Sequence, residues 1–365
     1  MAIYTFDKIA VNCTQKVKPQ ESDKEHYIGL EHIDPECLYI TRWGADAAPV
    51  GDKLVMKKGD VLFGKRRAYQ RKVGIAPFDG IFSAHGLVLR PKEDVICKEF
   101  FPFFISSDQF LDRAVQISVG GLSPTVNWGD LARQEFSLPS LEEQKILADK
   151  LWAAYRVKES YRQLLATTDD MLKAKFNDMF GKAEQVALGD VLQTTSGGTP
   201  SSKNAAYYKG GNIPWLTSGE VRQGYIDSTE SCITELGLAN SSAKWVPEGS
   251  VVVAMYGATV GEVGLLKIPV TTNQAICSIL PNEKFDSIFL YNALQSKYDW
   301  MISQARGAAQ PNISQLIIKK MLIPMPSKNL QRQFAAIATQ AEATKASLRQ
   351  SIDAIDRVIR SLINQ

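Results

Sequence analysis

Ser140-Leu-Glu-Glu-Gln-Lys-Ile-Leu-Ala-Asp-Lys-Leu151 opens the stretch on which the fold turns. Along it Leu147, Leu151, Ala154, Lys158, Tyr161, Leu165, Thr168, Leu172, Lys175 and Met179 alternate in steps of four and three, and seven of these ten are apolar, counting alanine. Near the end of the chain Phe334, Ile337, Ala341, Thr344, Leu348, Ser351, Ile355, Val358 and Leu362 repeat the spacing, seven of the nine apolar. A repeat of this kind keeps one seam facing a partner helix, so each run predicts a long helix in a coiled coil. Ser140-Leu-Glu-Glu143 has the form of a capping box that starts the first helix, and Gly181 is a natural stop. At about 36 residues each, the helices would be roughly 54 Å long. Equal lengths suggest that they pair with each other, and the domain between them lets the pair run antiparallel.

What precedes each helix is written twice. Lys58-Gly-Asp-Val-Leu-Phe63 matches Glu248-Gly-Ser-Val-Val-Val253 at an offset of 190, and the same offset aligns Lys72-Val-Gly-Ile75 with Glu262-Val-Gly-Leu265 and Pro91 with Pro281. Only 7 of the 36 positions from 59 to 94 are identical, so the order of parts makes the case. Each copy continues into an aromatic-rich stretch (Phe100–Phe110, Phe289–Trp300) and a Gly/Pro loop (Gly120–Asn127, Gly307–Ser314). A short amphipathic helix, a Pro-punctuated strand, a Leu-x-x-Gln (Leu141–Gln144, Leu330–Gln333) and the long helix follow. Strand-like stretches at Asp60–Phe63, Gly86–Leu89, Ser250–Met255 and Ala275–Leu280 alternate with Gly, Pro and Asn turns. The expectation is a tandem α/β (α+β) pseudo-repeat: domains at 1–140 and 183–326, and helices at 141–182 and 327–365 that pair as an antiparallel coiled coil.

Composition narrows the function. With 45% hydrophobic and 22% charged residues in 365, the chain is globular, and its length suits two domains. The longest apolar runs are far short of the roughly 20 residues that span a bilayer. The N-terminus has neither a basic nor an apolar signal region. Five scattered cysteines without CxxC spacing and three histidines make a zinc site or a disulfide framework improbable. The expectation is a soluble protein of a reducing, cytoplasmic compartment. There is no Walker phosphate loop, since Gly257-Ala-Thr-Val-Gly261 runs on to Glu262 without the lysine. HExxH, a Gly-x-Ser-x-Gly elbow, a GxGxxG after a strand and the Asn/Asp-Pro-Pro-aromatic signature of amino-methyltransferases are all absent. His26, His32 and His85 have no counterparts in the second copy. The chain reads as non-catalytic, with no metal site.

Binding remains. Gly64-Lys-Arg-Arg-Ala-Tyr-Gln-Arg-Lys72 packs Lys65, Arg66, Arg67, Arg71 and Lys72 around Tyr69, a set suited to phosphate or to guanine. A solvated hairpin would carry the same charges. The equivalent Ala254–Glu262 has no basic residue, as two domains reading different sequences would require; drift in a non-functional loop would look the same. Ser196-Gly-Gly-Thr199 and Lys203 open the second copy in a Gly/Ser-rich loop where backbone N–H groups could approach an anion; a tight turn explains it as well. Residues 1–140 hold 18 basic and 18 acidic side chains, and residues 183–326 hold 10 and 11. Neither domain can grip DNA strongly by charge alone.

The order of parts resembles the specificity subunit of a type I restriction-modification system. The resemblance covers the whole chain and is sharpest in Ser196-Gly-Gly-Thr-Pro200, Gly211–Val221, Met255-Tyr-Gly-Ala-Thr-Val-Gly261, Thr272-Asn-Gln-Ala-Ile276 and Gln310-Pro-Asn-Ile-Ser314. The first domain departs from it, with Phe82-Ser-Ala-His85 where the second has Thr272-Asn-Gln-Ala275. The resemblance implies two target-recognition domains, each reading half of a bipartite double-stranded DNA site, with the paired helices as a ruler. It adds Tyr256, Thr259, Asn273, Gln274, Arg306, Gln310 and Asn312 to the DNA-binding candidates. It also implies two methyltransferase subunits on the helices and restriction (translocase/nuclease) subunits for cleavage. S-adenosylmethionine would sit on the methyltransferase subunits, leaving this chain without a cofactor. A partner of a type II-like methyltransferase, or a repeat-built scaffold that binds only protein, would share much of this sequence pattern.

Overall fold

A computed structural model describes residues 1–307 and 311–364. The chain forms two compact units: Met1–Arg162 with the chain from Arg349 onward, and Gln163–Leu348. Both boundaries fall inside long helices, so each unit is a sheet-rich domain plus one stretch from each helix.

In the first unit, β-branched and aromatic runs between turns form two four-stranded sheets. One has the antiparallel order Ala10–Asn12, Leu87–Pro91, Val61–Phe63, Val73–Ile75. The other runs Lys16–Val17, Lys53–Met56, Gly80–Phe82, Tyr27–Ile28, its last pair parallel. Ala2–Thr5 pairs with Glu135–Leu138, which ties the start of the chain to the strand that feeds the helix. The aromatic-rich stretch becomes two short helices, Phe101–Ser106 and Asp108–Gln116. Their phenylalanines fill the core: Phe110 lies 5.1 Å from Phe6 and 5.3 Å from Phe63, and Phe104 meets Phe136 edge-on at 5.4 Å.

The second unit repeats the plan. Thr194–Ser196, Ile276–Ile279, Val251–Ala254, Val263–Leu266 and Tyr225–Ile226 form one sheet. Cys232–Ile233, Ile213–Leu216, Val270–Thr272 and Trp245–Val246 form the other, and Gln185–Ala187 pairs with Leu322–Pro324. The strand pairings recur: Phe63↔Leu87 corresponds to Val253↔Cys277 at the offset of 190, and the parallel pair Ile28↔Phe82 corresponds to Leu216↔Thr272, whose first strand is offset by 188. Even the extra strand Tyr225–Ile226, parallel to Val263–Leu266, has a remnant in the first unit, the single parallel bridge Tyr39↔Ile75.

The long helices are Leu141–Phe180, 40 residues, and Lys328–Ile363, 36 residues; the first exceeds expectation by a turn. The capping box forms: Ser140 N–H donates to Glu143 Oε2 at 2.9 Å, and Ser140 Oγ accepts from Glu143 N–H at 3.3 Å. The helices pack together in opposite directions. In the first unit Lys158 pairs with Asp356, and Leu147 joins the same core as Leu362. In the second, Lys345 pairs with Asp169 at 2.7 Å, and Phe176 meets Phe334 edge-on at 5.2 Å. Leu151, Leu172, Phe334 and Leu348 are buried, while Leu147, Tyr161, Leu165, Ile337, Ile355 and Leu362 are half-buried. Val358 does not line the seam. It is 52% exposed and its neighbour Ile359 is buried, because the seam runs through Lys345 and Ile359 and not through Thr344 and Val358.

A further correction concerns Leu-x-x-Gln. Gln144 accepts from Cys97 N–H at 2.7 Å and donates to the Pro139 and Val95 carbonyls. Its counterpart is Gln331, not Gln333: Gln331 accepts from Asp286 N–H at 2.8 Å and donates to Pro326 and Lys284. Each amide, 1% exposed, satisfies three backbone groups where its helix begins.

Candidate nucleic-acid interface

The Gly64–Lys72 segment joins the antiparallel strands Val61–Phe63 and Val73–Ile75, and Gly64 N–H to Lys72 O at 2.9 Å closes it. At its tip a 3₁₀ turn, Ala68–Gln70, lies between Arg67 (φ 56°, ψ 53°) and Arg71 (φ 51°, ψ 40°), both left-handed. For a residue with a Cβ that region costs roughly 1–2 kcal/mol. The second unit has a 3₁₀ turn in the same loop, one residue earlier, Gly257–Thr259, and carries glycine at the positions equivalent to Arg67 and Arg71, Gly257 (φ 77°) and Gly261 (φ 83°).

A second loop clips each turn in place. In the first unit Val119 and Thr125 exchange both backbone hydrogen bonds (3.1 and 2.9 Å), Arg67 N–H donates to Pro124 O at 2.7 Å, and Val126 N–H donates to Lys65 O at 2.9 Å. In the second unit Arg306 and Asn312 exchange theirs (2.9 Å each). Gly257 N–H there donates to Pro311 O at 3.0 Å, and Ile313 N–H to Met255 O at 2.9 Å. The Gly/Pro loops of the repeat are therefore the partners of these two turns. Identical backbone bonds carry different side chains.

The basic candidates of the first unit separate into two groups. Arg66, Arg67 and Tyr69 are exposed, and Lys65 is half-buried. Arg66 also donates to Ser123 Oγ at 3.3 Å. Arg71 is instead bound to Asp108 at 2.5 Å and Asp112 at 2.6 Å, which raises its pKa further, and Lys72 donates to Leu30 O at 2.6 Å. These two hold the turn to its own domain. Partial burial and then Lys16 lower the Lys65 ammonium. Partial burial, then Arg66, Lys65 and Lys53, hold the His85 imidazole below its ordinary value.

In the second unit the candidates line three adjoining loops. Thr199 Oγ1 donates to Gln274 Oε1, and Asn273 accepts from Ala275 N–H at 3.1 Å. Met255 N–H donates to Ala275 O at 2.8 Å, which places Tyr256 beside that turn, and Tyr256 bridges to Asn312. Thr199, Lys203, Tyr256, Gln274, Arg306 and Asn312 are exposed; Ser196, Thr259 and Asn273 are half-buried; Gln310 lies outside the described residues. Gly197 and Gly198 are buried and serve packing: a Cβ on Gly197 would lie 1.8 Å from Thr272 O, and Gly198 N–H is already bound to that oxygen at 2.9 Å. They offer no free cradle to an anion.

The structure adds to the first unit's surface its clip loop, with Leu122 (96% exposed), Val119 and Ser123, and also His85, whose carbonyl accepts from Arg66 N–H at 3.2 Å. The repeat held the signal, since the candidates Arg306 and Asn312 occupy the same loop of the second copy. No group of three or more His, Cys, Asp or Glu among the described residues could hold a metal, and no helix among them is long and apolar enough to cross a membrane.

A family model described as the type I restriction modification DNA specificity domain matches residues 20–166 and again 181–357. The Escherichia coli type I restriction enzyme EcoR124I/EcoR124II specificity subunit is 25% identical over 177 residues, 47% of this chain and 44% of that protein. The Methanocaldococcus jannaschii MjaIX specificity subunit is 30% identical over 155 residues, 41% and 35% of the two chains. These alignments thus span less than half of the relatives' length. The fold is like that of the type I restriction-modification S subunit from M. genitalium (TM-score 0.57, 14% identity, 99% of this chain and 94% of that one). It is also like a chain from a structure of type I R-M system assembly (TM-score 0.55, 17% identity, 100% and 96%).

Proposed function

This chain belongs to the type I restriction-modification DNA specificity family, and from that premise we propose that it is the non-catalytic subunit that selects the DNA site of such a complex. The first domain reads one half of a bipartite site through Lys65, Arg66, Arg67 and Tyr69. The second reads the other half through Thr199, Lys203, Tyr256, Asn273, Gln274, Arg306 and Asn312. The observation that carries this reading is the clipped turn: two turns held by the same clip bonds bear unrelated side chains. A scaffold that bound one protein twice would have reason to keep the side chains alike.

The paired helices set the gap between half-sites and dock two methyltransferase subunits, to which restriction subunits are added for cleavage. Support for docking comes from the first helix, where Ile146, Val157, Leu164 and Met171, away from the seam, are 44–52% exposed. S-adenosylmethionine is held by the methyltransferase subunits, and the complex acts on double-stranded DNA in the cytoplasm. The test is copurification with a methyltransferase subunit, followed by mapping of the bases that the complex methylates. The expected motif is two short specified blocks around an unspecified gap of fixed length. A continuous motif, or failure to assemble with any methyltransferase, would refute the reading.

A further inference from the structure

The tip of the first domain's turn carries a side chain that its fold discourages. Residues 67 and 71 must be left-handed, and the second unit meets the same demand with Gly257 and Gly261. The backbone duty of residue 67 is the same in both copies: Arg67 N–H binds Pro124 O as Gly257 N–H binds Pro311 O. Nothing in the turn itself therefore needs a side chain at 67.

The two strained arginines differ in what they hold. Arg71 is fastened to Asp108 and Asp112, contacts that offset its backbone cost. The Arg67 guanidinium is exposed and has no hydrogen bond or ion pair among the described residues. Yet its backbone is held at both ends, by Pro124 O and by Gln70 N–H, which donates to Arg67 O at 2.9 Å. Strain kept without an internal return is found where a residue acts on something outside the fold. A planar five-donor fork on a fixed Cα can meet a guanine edge bidentately, a contact that depends on where the Cα is held, whereas a phosphate on the duplex surface can be reached by a long side chain from a mobile backbone.

We infer that Arg67 is a specificity-determining residue of the first domain and directs its guanidinium to a guanine in that domain's half-site. The inference rests on the proposed function and names the side chain that gives the first half-site one of its bases. The second domain, with glycine there, reads its half-site without this contact.

The test uses the full chain assembled with its methyltransferase subunits, selecting from a random double-stranded DNA library, with thermal melting of the chain measured in parallel. Arg67→Gly should lose on the order of 10- to 100-fold preference at one G·C position of one half-site, leave the other half-site intact, and melt at or above the wild-type temperature. Arg67→Ala should share the DNA defect without the relief of strain. Arg67→Lys, which keeps the charge, should also lose the preference. An unchanged motif with Arg67→Gly, a uniform loss across all sequences that Arg67→Lys restores, or a melting point several degrees lower would each overturn the inference. If the wild-type assembly selects no motif, the proposed function falls first; if it selects a bipartite motif that Arg67→Gly leaves intact, only this inference falls.

Discussion

Lys158 is 2% exposed, and its ammonium meets Asp356 and, at 3.3 Å, the carbonyl of Glu36. Its counterpart Lys345, 9% exposed, meets Asp169 and Glu342. In each unit a lysine of one helix faces an aspartate of the other. A buried pair adds little net stability but makes the alternatives costly: a register slipped by a heptad would leave the lysine unpaired. The two partners of the first pair are unequally buried, so their loss is unequal. Asp356→Leu strands a buried lysine and is expected to cost roughly 3–5 kcal/mol. Lys158→Met leaves an aspartate that is 23% exposed and should cost less. The double variant Lys158→Met/Asp356→Leu should recover most of the loss, as read by urea denaturation. Additive losses would mean that the pair does not couple. The heptad spacing puts Lys158 on the seam but Thr344 in place of Lys345, and no local pattern names the aspartate that either lysine meets.

The elements were more legible than their faces. Heptad spacing predicts both helices and their pairing, and the capping box sets the start of the first. Which residues form the seam is finer: Val358 and Ile359 are adjacent and equally apolar, and only the partner's position buries the second. Two substitutions separate these levels. Leu348→Asp puts a charge where the side chain is 8% exposed and should destabilise the helix pair by several kcal/mol, with loss of assembly. Val358→Asp, on an exposed face, should stay within about 0.5 kcal/mol. Thermal melting of the two variants checks the pair. The reverse order would return the seam to Val358. Gln144 and Gln331 teach the same lesson, because a buried amide is recognised by its three backbone partners and not by its place in Leu-x-x-Gln.

For the whole molecule the charge balance decides. The chain carries 42 basic and 39 acidic residues, and among the interface candidates, with Arg71 and Lys72 engaged internally and Arg67 assigned to a base, the cations left to meet phosphate are Lys65, Arg66, Lys203 and Arg306. Were all four in contact, log K against log salt would have a slope of about −4. The isolated chain is therefore expected to bind DNA weakly, with a slope no steeper than that, and to gain tight, specific binding when methyltransferase subunits are added. Fluorescence anisotropy over a salt series would show it. Nanomolar specific binding by the chain alone at physiological salt, or a slope near −10, would contradict it.

The sequence by itself determined the duplication, the strands Val61–Phe63, Leu87–Pro91, Val251–Ala254 and Ile276–Ile279 within their expected windows to a residue or two, and the two helices. These follow from periodicity and turn chemistry, which act over a few residues. It also marked the basic turn as a candidate binding surface. Which of its arginines are left free is set by the tertiary structure. Arg66, Arg67 and Arg71 are equivalent as letters, but Asp108 and Asp112 reach Arg71 from 37 and 41 residues away, and Pro124 fixes Arg67 from 57 away. An ion pair or a left-handed backbone is set by where the rest of the chain comes to lie, and no local pattern carries that information.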